Sequence, residues 1–153
     1  INCASIGIEL VNPGHEFGYC RFPEPQMVAL EELGQGILGR HAIPARHVIG
    51  HSDVAPLRKQ DPGELFDWQR LARARIGFWP DFAGDTRPAV LDLRQSQSQL
   101  ADIGYFCPQS GALDGATTAA ILAFQRHYRP ERCDGVLDSE TARRIALCAK
   151  GIS

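Results

Sequence analysis

The stretch GHSDVAPLRKQDPGELFDW, residues 50–68, gathers one histidine, one lysine and several carboxylates between prolines and glycines. Prolines and glycines interrupt regular helices, so residues 51–66 are predicted to form a long irregular loop. Before the loop, RHVIGH at residues 46–51 predicts a short strand. After it, Asp67 is placed to cap a helix that begins with WQRL. The residues predicted to face the core around this helix are Phe66, Leu71 and Ile76.

Two regular elements are predicted upstream of this stretch. Residues 5–11, SIGIELV, predict a buried strand that ends at an Asn-Pro-Gly turn. Glu9 lies inside that apolar strand, where a carboxylate is costly to bury unless it is paired or opens into a cleft. From about residue 25 to residue 41, apolar residues recur at three- and four-residue spacing, which predicts an amphipathic helix.

The C-terminal part of the chain contains an internal repeat. GALDGATTAAI at residues 111–121 and GVLDSETARRI at residues 135–145 match at an offset of 24 residues. In each copy an aspartate, Asp114 or Asp138, is placed to cap the helix that follows. Together with LDLRQSQSQLADIGY before them, the two copies predict a unit of three helices. The preceding segment FWPDFAGDTRPAV has the proline, glycine and aspartate content of a linker.

Composition narrows the class of protein. Of the 153 residues, 44% are hydrophobic and 22% are charged, as in ordinary globular proteins. The net charge of -2 gives no reason to expect nucleic acid as a partner. No apolar run approaches the roughly 18 residues that span a bilayer. The five cysteines form no C-x-x-C pair, which argues against a cysteine-only zinc site. Cys107 and Cys133 either pair in an oxidising compartment or stay free like the others.

His51 and Asp61, ten residues apart on the predicted loop, are residue types that bind zinc. A catalytic zinc site needs three protein ligands and one open position, so two ligands from one loop do not complete it. A structural histidine beside an ordinary Asp-Pro-Gly turn is the alternative interpretation. Lys59 lies two residues before Asp61, where its charge can stabilise an oxyanion on a carbonyl. Glu9 suits a general base if its strand borders the loop.

Two motifs carry a resemblance to a known family. N-x-x-S-I-G-I-E at residues 2–9 and H-S-D-V-A-P-x-R-K-x-D-P-G-x-x-F-D-W at residues 51–68 resemble the zinc N-acetylmuramoyl-L-alanine amidases of the type-2 superfamily. IGFWPDF at residues 76–82 and AFQRHYRPERCDG at residues 123–135 are similar to the cell-envelope branch of that family, which carries a C-terminal peptidoglycan-binding domain. The resemblance covers nearly the whole chain.

The resemblance implies an α/β fold for the chain. Residues 1–79 are expected to form the C-terminal part of a mixed-sheet amidase domain, followed by a linker at residues 80–89. Residues 90–153 are expected to form a small three-helix peptidoglycan-binding domain. The expected location is the periplasm or cell envelope of a bacterium, and the expected partner is peptidoglycan or a muropeptide.

The family's functional residues carry over to four positions of this chain. The resemblance implies that His51 and Asp61 are zinc ligands, with Zn²⁺ as the cofactor. Lys59 matches the lysine that stabilises the tetrahedral intermediate, and Glu9 matches the glutamate that acts as general base. The implied reaction is hydrolysis of the amide bond between N-acetylmuramic acid and L-alanine. Zinc would polarise the lactyl carbonyl and activate its bound water, and Glu9 would move the proton to the leaving amine.

The sequence departs from the family at one point. The family's first histidine ligand lies on an early strand upstream of the SIGIE segment, whereas this chain opens with INCASIGIEL and no Met. We therefore expect a truncated or nicked chain that lacks the first ligand, and that is a monomer or pairs with its missing N-terminal segment. His15 is expected either to border the cleft or to be solvated. His41, His47 and His127 are expected to be structural or exposed.

Two other interpretations remain open. One is a non-catalytic protein that uses the amidase-like fold to bind peptidoglycan, and the other is a bare structural fragment. In the tail, Gln125, Arg126 and Tyr128 are expected to offer polar and stacking contacts to a glycan strand. The alternative is that the aromatic residues Phe124 and Tyr128 only fill the small core, and this is the expected role of Phe124.

Overall fold

The computed structural model describes residues 4–84, 87 and 89–152. Its helices are α1 (Glu24–Arg40), α2 (His51–Val54), α3 (Trp68–Arg73), α4 (Leu93–Ile103), α5 (Gly115–Tyr128) and α6 (Ser139–Ile152). A short 3-10 helix, Ala45–His47, lies between α1 and α2. None of the helices in the described part of the chain is both long and apolar enough to cross a membrane.

The predicted α/β fold with a mixed amidase sheet is wrong for the described residues, which are helical or irregular and contain no strand. Residues 5–11 have no regular structure, and Ile6 and Ile8 are 52% and 40% exposed. Residues 46–51, the second predicted strand, contain part of the 3-10 helix and the first residue of α2. A strand needs a neighbour for its N–H and C=O groups. Apolar alternation identifies the two faces of a strand but not a partner.

The first core lies between α1 and the segment around α3. Met27 and Leu30 of α1 are buried there, as the helical spacing predicts, whereas Leu33 is 47% exposed. Gly34 is buried against Ile76, whose side chain occupies the space that a Cβ at Gly34 would take. The buried residues of this core are Met27, Leu30, Phe66, Trp68, Leu71 and Ile76. The three residues predicted to face inward around α3 are therefore confirmed.

Helix α3 begins where the sequence predicts. The Asp67 carboxylate caps it by accepting a hydrogen bond from the Arg70 backbone N–H at 2.9 Å. Such a cap is worth about 1 kcal/mol. The Arg70 guanidinium also forms ion pairs with Glu24 and Glu31 of α1. The hydrogen bond from Arg70 lowers the pKa of the Glu24 carboxyl. These contacts fasten α3 to α1.

The second core lies among α4, α5 and α6. Its most deeply buried side chains include Leu100, Ile121, Phe124 and Ile145, each 0% exposed. Full burial of a large apolar side chain stabilises a fold by about 1.5–3 kcal/mol. These side chains therefore account for much of the stability of the three-helix unit, and Phe124 has the core role that was expected for it.

The internal repeat corresponds to two helix starts with the same cap. Asp114 accepts a hydrogen bond from the Thr117 backbone N–H, and Asp138 accepts one from the Thr141 N–H, each at 2.8 Å. The hydrogen bond from Thr117 contributes most to lowering the pKa of Asp114. Both predicted caps are therefore confirmed.

Three aromatic residues of the segment predicted to be a linker, Phe78, Trp79 and Phe82, pack against the rest of the protein. Trp79 contacts both cores, and Phe82 contacts the second core. The Arg143 guanidinium donates a hydrogen bond to the Phe82 carbonyl oxygen at 2.8 Å. The division of the chain at residues 80–89 stays a prediction, and Trp79, directly before this segment, contacts both cores.

Candidate functional site

His51 and Asp61, the two predicted metal ligands, lie side by side. Helix α2 begins at His51, and the Ser52 backbone N–H donates a hydrogen bond to the Asp61 carbonyl oxygen at 2.9 Å. This main-chain contact brings the two side chains together, with His51 Nδ1 and Asp61 Oδ2 3.1 Å apart. The side chains are 45% and 61% exposed, so a molecule from solvent can reach both.

A close approach of the backbone holds α2 in place. A Cβ added at Gly50 would lie 2.7 Å from Pro62 Cδ and 3.2 Å from the Trp68 ring. Glycine is therefore required sterically at the residue that precedes His51. Because Pro62 follows Asp61 directly, the same contact also sets the distance between α2 and the segment that carries Asp61.

Tyr19 fixes the C-terminal end of the loop, at residues 62–65, through two hydrogen bonds. Its hydroxyl donates a hydrogen bond to the Pro62 carbonyl oxygen at 2.6 Å and accepts one from the Leu65 N–H at 2.9 Å. Burial is the main cause that raises the pKa of Tyr19 to about 12. Gly63 has a φ of 84° and lies against the Tyr19 hydroxyl, so a larger residue would be strained and crowded there.

His15 lies beside Tyr19 and its hydrogen bonds to the loop. Its ring stacks on Tyr19 with centroids 4.2 Å apart, and its Nε2 lies 3.0 Å from a carboxylate oxygen of Glu64. The side chain is 36% exposed. His15 therefore borders the loop that carries Asp61 and is paired with a carboxylate rather than simply solvated. Contact of His15 with a substrate stays a prediction.

In the described ranges, no hydrogen bond or ion pair joins the Glu9 or Lys59 side chain to His51 or Asp61. Glu9 is exposed in the irregular segment 5–11. Lys59 is partly buried after α2, and its backbone N–H donates to the Ala55 carbonyl oxygen at 3.0 Å. Their roles as general base and oxyanion cation stay predictions.

The donor chemistry of the pair fits two positions of a zinc site and no more. An imidazole nitrogen and a carboxylate oxygen are both common zinc ligands, but a catalytic site uses three protein ligands. Residues 4–84, 87 and 89–152 contain no group of three or more His, Cys, Asp or Glu side chains that could hold a metal ion. The pair alone is therefore an incomplete zinc site.

Asp53, a residue that the sequence does not indicate as functional, accepts three hydrogen bonds close to His51 and Asp61. It is 7% exposed and accepts a hydrogen bond from the Gly50 N–H at 2.7 Å. Tyr105 and His127 of the C-terminal unit also bond to it, each at 2.8 Å. One signal was available in the sequence, because an acidic residue three positions after a helix N-cap commonly reaches back to the cap N–H.

The polar side chains that were expected to line a glycan-binding surface in the tail are mostly buried. Gln125 is 0% exposed and Tyr128 is 5% exposed, so both are core residues and this prediction is wrong for them. The Arg126 side chain is 11% exposed, with its Nε 4.0 Å from Glu64. His127 is buried and structural, whereas His41 and His47 are exposed, as expected.

The cysteines in the described part of the chain are free thiols. Cys107 and Cys148 are buried, Cys133 is partly buried and Cys20 is exposed, and Cys3 lies outside the described residues. Burial is the main cause that raises the pKa of Cys133 to about 11. The structure therefore matches the alternative in which Cys107 and Cys133 are not paired.

Comparison with known proteins agrees with the motifs. The family model described as N-acetylmuramoyl-L-alanine amidase matches residues 1–64, and the peptidoglycan binding domain model matches residues 91–145. The N-acetylmuramoyl-L-alanine amidase AmiD of Escherichia coli K12 is 37% identical in an alignment 153 positions long. The alignment covers 92% of this chain and 55% of AmiD. The chain therefore combines a segment that matches the N-acetylmuramoyl-L-alanine amidase family, residues 1–64, with a segment that matches a peptidoglycan binding domain, residues 91–145. The 1,6-anhydro-N-acetylmuramyl-L-alanine amidase AmpD of Enterobacter cloacae is 41% identical over 70 residues, 46% of this chain and 35% of AmpD.

Solved structures of this amidase family resemble the fold. E. coli AmiD, in complex with the substrate anhydro-N-acetylmuramic acid-L-Ala-D-gamma-Glu-L-Lys, superposes with a TM-score of 0.77 at 33% identity, covering 88% of this chain and 55% of AmiD. AmpDh3 of Pseudomonas aeruginosa superposes with a TM-score of 0.74 at 34% identity, covering 88% of this chain and 56% of AmpDh3. This chain thus spans about half the length of these relatives.

Proposed function

We propose that this chain takes part in hydrolysis of the amide bond between N-acetylmuramic acid and L-alanine in peptidoglycan or muropeptides. The observation that carries the proposal is the contact between His51 Nδ1 and Asp61 Oδ2, which are 3.1 Å apart. Both residues lie within the amidase match at residues 1–64. The substrate bound to AmiD, an anhydro-muramyl tripeptide, contains this amide bond and supports the choice of substrate.

Each of the four predicted residues has a separate role in the proposal. His51 and Asp61 are two of the zinc ligands, and zinc, when bound, supplies a Lewis acid for the carbonyl and lowers the pKa of bound water. The Glu9 carboxylate takes a proton from the attacking water and delivers it to the leaving amine of L-alanine. The Lys59 ammonium stabilises the oxyanion on the former carbonyl oxygen.

The proposal requires a third zinc ligand from outside the described residues. A catalytic zinc holds three protein ligands, and the described ranges bring only two candidates together. We place this ligand on a further segment of the enzyme, which is either joined to this chain in a monomer or paired with it.

The C-terminal unit adds a second element to the proposal. Residues 91–145 match a peptidoglycan binding domain model, so we assign wall binding to the region 90–153 and the chemistry to the region 1–79, with residues 80–89 between them. A protein with these two functions works in the bacterial cell envelope, and we place it in the periplasm. Its partners are peptidoglycan and muropeptides, not nucleic acid.

A non-catalytic peptidoglycan-binding protein is the second candidate. The observation in its favour is that the described residues contain no complete group of metal ligands, while the match to a peptidoglycan binding domain is independent of any metal. The two candidates differ in one measurable property, which is cleavage of the muramyl amide bond.

The test is release of free peptide from anhydro-N-acetylmuramyl tripeptide, followed by liquid chromatography and mass spectrometry. The complete enzyme, which includes the segment that supplies the third zinc ligand, is treated with a chelator and assayed with and without added zinc. We expect zinc-dependent release, and we expect His51→Ala to abolish it together with bound zinc measured by equilibrium dialysis. His47→Ala is the matched control, because His47 is an exposed histidine outside the pair and its loss should leave release unchanged.

The outcomes separate the two candidates. No peptide release at saturating zinc, together with sedimentation of the protein with purified sacculi, would leave the non-catalytic candidate. Release that is unaffected by chelation would overturn the zinc requirement. If Glu9→Gln keeps zinc but lowers turnover by about 10²–10⁴-fold, the usual range for a general base, its assignment is supported.

A further inference from the structure

Asp53 lies at the contact between α2 and the C-terminal helices. Its Oδ2 accepts hydrogen bonds from the Gly50 N–H at 2.7 Å and from His127 Nδ1 at 2.8 Å. Its Oδ1 accepts one from the Tyr105 hydroxyl at 2.8 Å. Hydrogen bonds to an ionised acceptor are stronger than those between neutral groups, and burial strengthens them further. The Asp53 carboxylate is therefore held from two separate parts of the chain.

The donors from the C-terminal side are themselves rigidly held. The His127 ring is stacked between Trp68 and Tyr128, with centroid distances of 3.9 and 4.0 Å and interplanar angles of 12° and 10°. His127 is 3% exposed and Tyr105 is 5% exposed. Neither donor can leave Asp53 without disturbing a packed core, so the C-terminal helices fix the position of the carboxylate.

The hydrogen-bond pattern assigns the tautomer of His127. Because the Asp53 carboxylate accepts, the proton of the contact lies on Nδ1 of His127. Nε2 is buried and has no hydrogen-bond partner among the described residues. In the neutral Nδ1–H tautomer Nε2 leaves only a lone pair without a partner, which is less costly than a buried, unpaired N–H.

Helix α2 needs such an anchor. It spans four residues, His51–Val54, and isolated helices of that length are unstable because nucleation costs more than one turn of hydrogen bonds returns. Its orientation must therefore come from contacts with other parts of the protein. Asp53 supplies one from inside the helix, two residues after His51.

We propose that Asp53, Tyr105 and His127 are positioning residues that couple the C-terminal helices to the orientation of His51. They hold α2 so that the His51 imidazole faces Asp61. This gives the C-terminal unit a second role besides wall binding. The catalytic meaning of that role rests on the proposed amidase function, but the mechanical coupling does not.

The test compares two Tyr→Phe substitutions in the intact 153-residue chain. Tyr105→Phe removes one hydrogen bond to Asp53, whereas Tyr128→Phe removes a hydroxyl with no hydrogen bond in the described part of the chain. Both tyrosines are 5% exposed, so the change in packing is matched. Amide hydrogen exchange is measured by NMR for Gly50 and Ala55, whose N–H groups bond within α2 and its cap.

We expect Tyr105→Phe to speed exchange at these two amides by about tenfold, which corresponds to about 1.4 kcal/mol, and Tyr128→Phe to change it less than about twofold. Amides of α6 should keep their protection in both. Equal effects of the two substitutions, or uniformly faster exchange throughout the chain, would overturn the proposal.

A second pair of substitutions tests the histidine. His127→Leu removes the hydrogen bond and should speed exchange at Gly50 and Ala55. His127→Asn places an amide nitrogen near the former Nδ1 position and should restore much of the protection. Failure of asparagine to differ from leucine would mean that His127 acts only by filling space.

Kinetics separate this proposal from the amidase assignment. If the parent hydrolyses the muramyl tripeptide, Tyr105→Phe should lower kcat about tenfold with KM within about twofold, an effect of positioning rather than of substrate binding. Faster exchange with unchanged kcat would overturn the positioning role and leave the amidase proposal intact. A complete enzyme, with the third zinc ligand present, that does not hydrolyse the tripeptide would end the amidase proposal, while the exchange result still decides whether the C-terminal helices hold α2.

Discussion

Replacement of Gly50 by alanine tests how tightly the helix that carries His51 is packed. The new Cβ would lie 2.7 Å from Pro62 Cδ, 3.2 Å from Trp68 Cζ2 and 3.4 Å from Asp53 Oδ2. Pro62 belongs to a rigid ring and Trp68 is stacked against His127, so neither can move aside cheaply. Gly50 has φ −88° and ψ 166°, which alanine adopts readily, so the cost is steric and not conformational.

The expected magnitude is the difference between two opposing effects. Overpacking of a well-packed site typically costs about 1–3 kcal/mol. Alanine also reduces the conformational freedom of the unfolded chain, which returns about 0.4–1 kcal/mol. We therefore expect Gly50→Ala to lower the free energy of unfolding by about 1–2 kcal/mol, or Tm by about 2–8 °C for a chain of this size.

The matched control is Gly36→Ala in α1. A Cβ at Gly36 has only the Arg40 Nη1 atom within 4 Å, at 3.7 Å, which is an ordinary contact with a flexible side chain. Alanine in a helix interior is favoured over glycine by about 0.5–1 kcal/mol, so this variant should be more stable than the parent. Urea and thermal unfolding followed by circular dichroism would measure both. A Gly50→Ala protein as stable as the parent would refute the close packing of α2 against Pro62 and Trp68.

Two further predictions concern the C-terminal helices. Gln125→Leu should lower the free energy of unfolding in urea by about 2–4 kcal/mol, because it leaves buried hydrogen-bonding groups without partners, whereas Gln95→Leu on the exposed side of α4 should change it by less than about 0.5 kcal/mol. Hydrogen bonds from Arg143 are the largest cause that lowers the pKa of Glu140 from 4.5 to about 2. A lowered pKa in the folded state stabilises the protein above the unfolded-state pKa, and the gain is lost as the pH falls through the folded-state value. The difference in stability between the parent and Glu140→Gln should thus be largest above pH 4.5 and shrink towards pH 2, and a difference independent of pH over this range would contradict the assignment.

Several elements could be predicted from residues that are close together in the sequence. The caps at Asp67, Asp114 and Asp138 were predicted correctly, because an N-cap depends only on one side chain and the N–H groups of the next three residues. The apolar spacing in residues 25–41 predicted α1 because a helix makes its hydrogen bonds within itself. The family motif placed His51 and Asp61 on one loop, and their side chains are in contact.

Contacts between distant parts of the chain were not predictable in the same way. The pattern in residues 5–11 indicated a strand, but strand formation depends on a partner that the pattern does not specify, and the described chain provides none. The sequence predicts Asp53 only as one polar residue of a loop, because nothing near it in sequence indicates that Tyr105 and His127 bond to it. Both errors concern hydrogen bonds between residues far apart in sequence.

The wrong prediction for Gln125 also concerns hydrogen bonds between distant residues, and it reduces the number of side chains that could form the proposed wall-binding surface. Its Oε1 accepts a hydrogen bond from the Gly135 N–H at 2.7 Å, and its Nε2 donates to Thr141 Oγ1 at 3.3 Å. Gln97 makes the equivalent contacts to Gly111 and Thr117, at 2.8 Å each, in the first copy of the repeat. Each glutamine thus fixes the loop that starts the next helix.

The repeat is therefore a structural device in which buried amides satisfy loop N–H groups that would otherwise lack partners. A glutamine committed to five hydrogen bonds inside the fold cannot also bind a sugar hydroxyl without breaking them. Burial, and not hydrogen bonding, removes Tyr128 from the candidate contacts, because its side chain is only 5% exposed. Any peptidoglycan contact made by the three helices must therefore come from side chains other than Gln97, Gln125 and Tyr128. Substitution of either glutamine should affect the proposed wall binding only through stability.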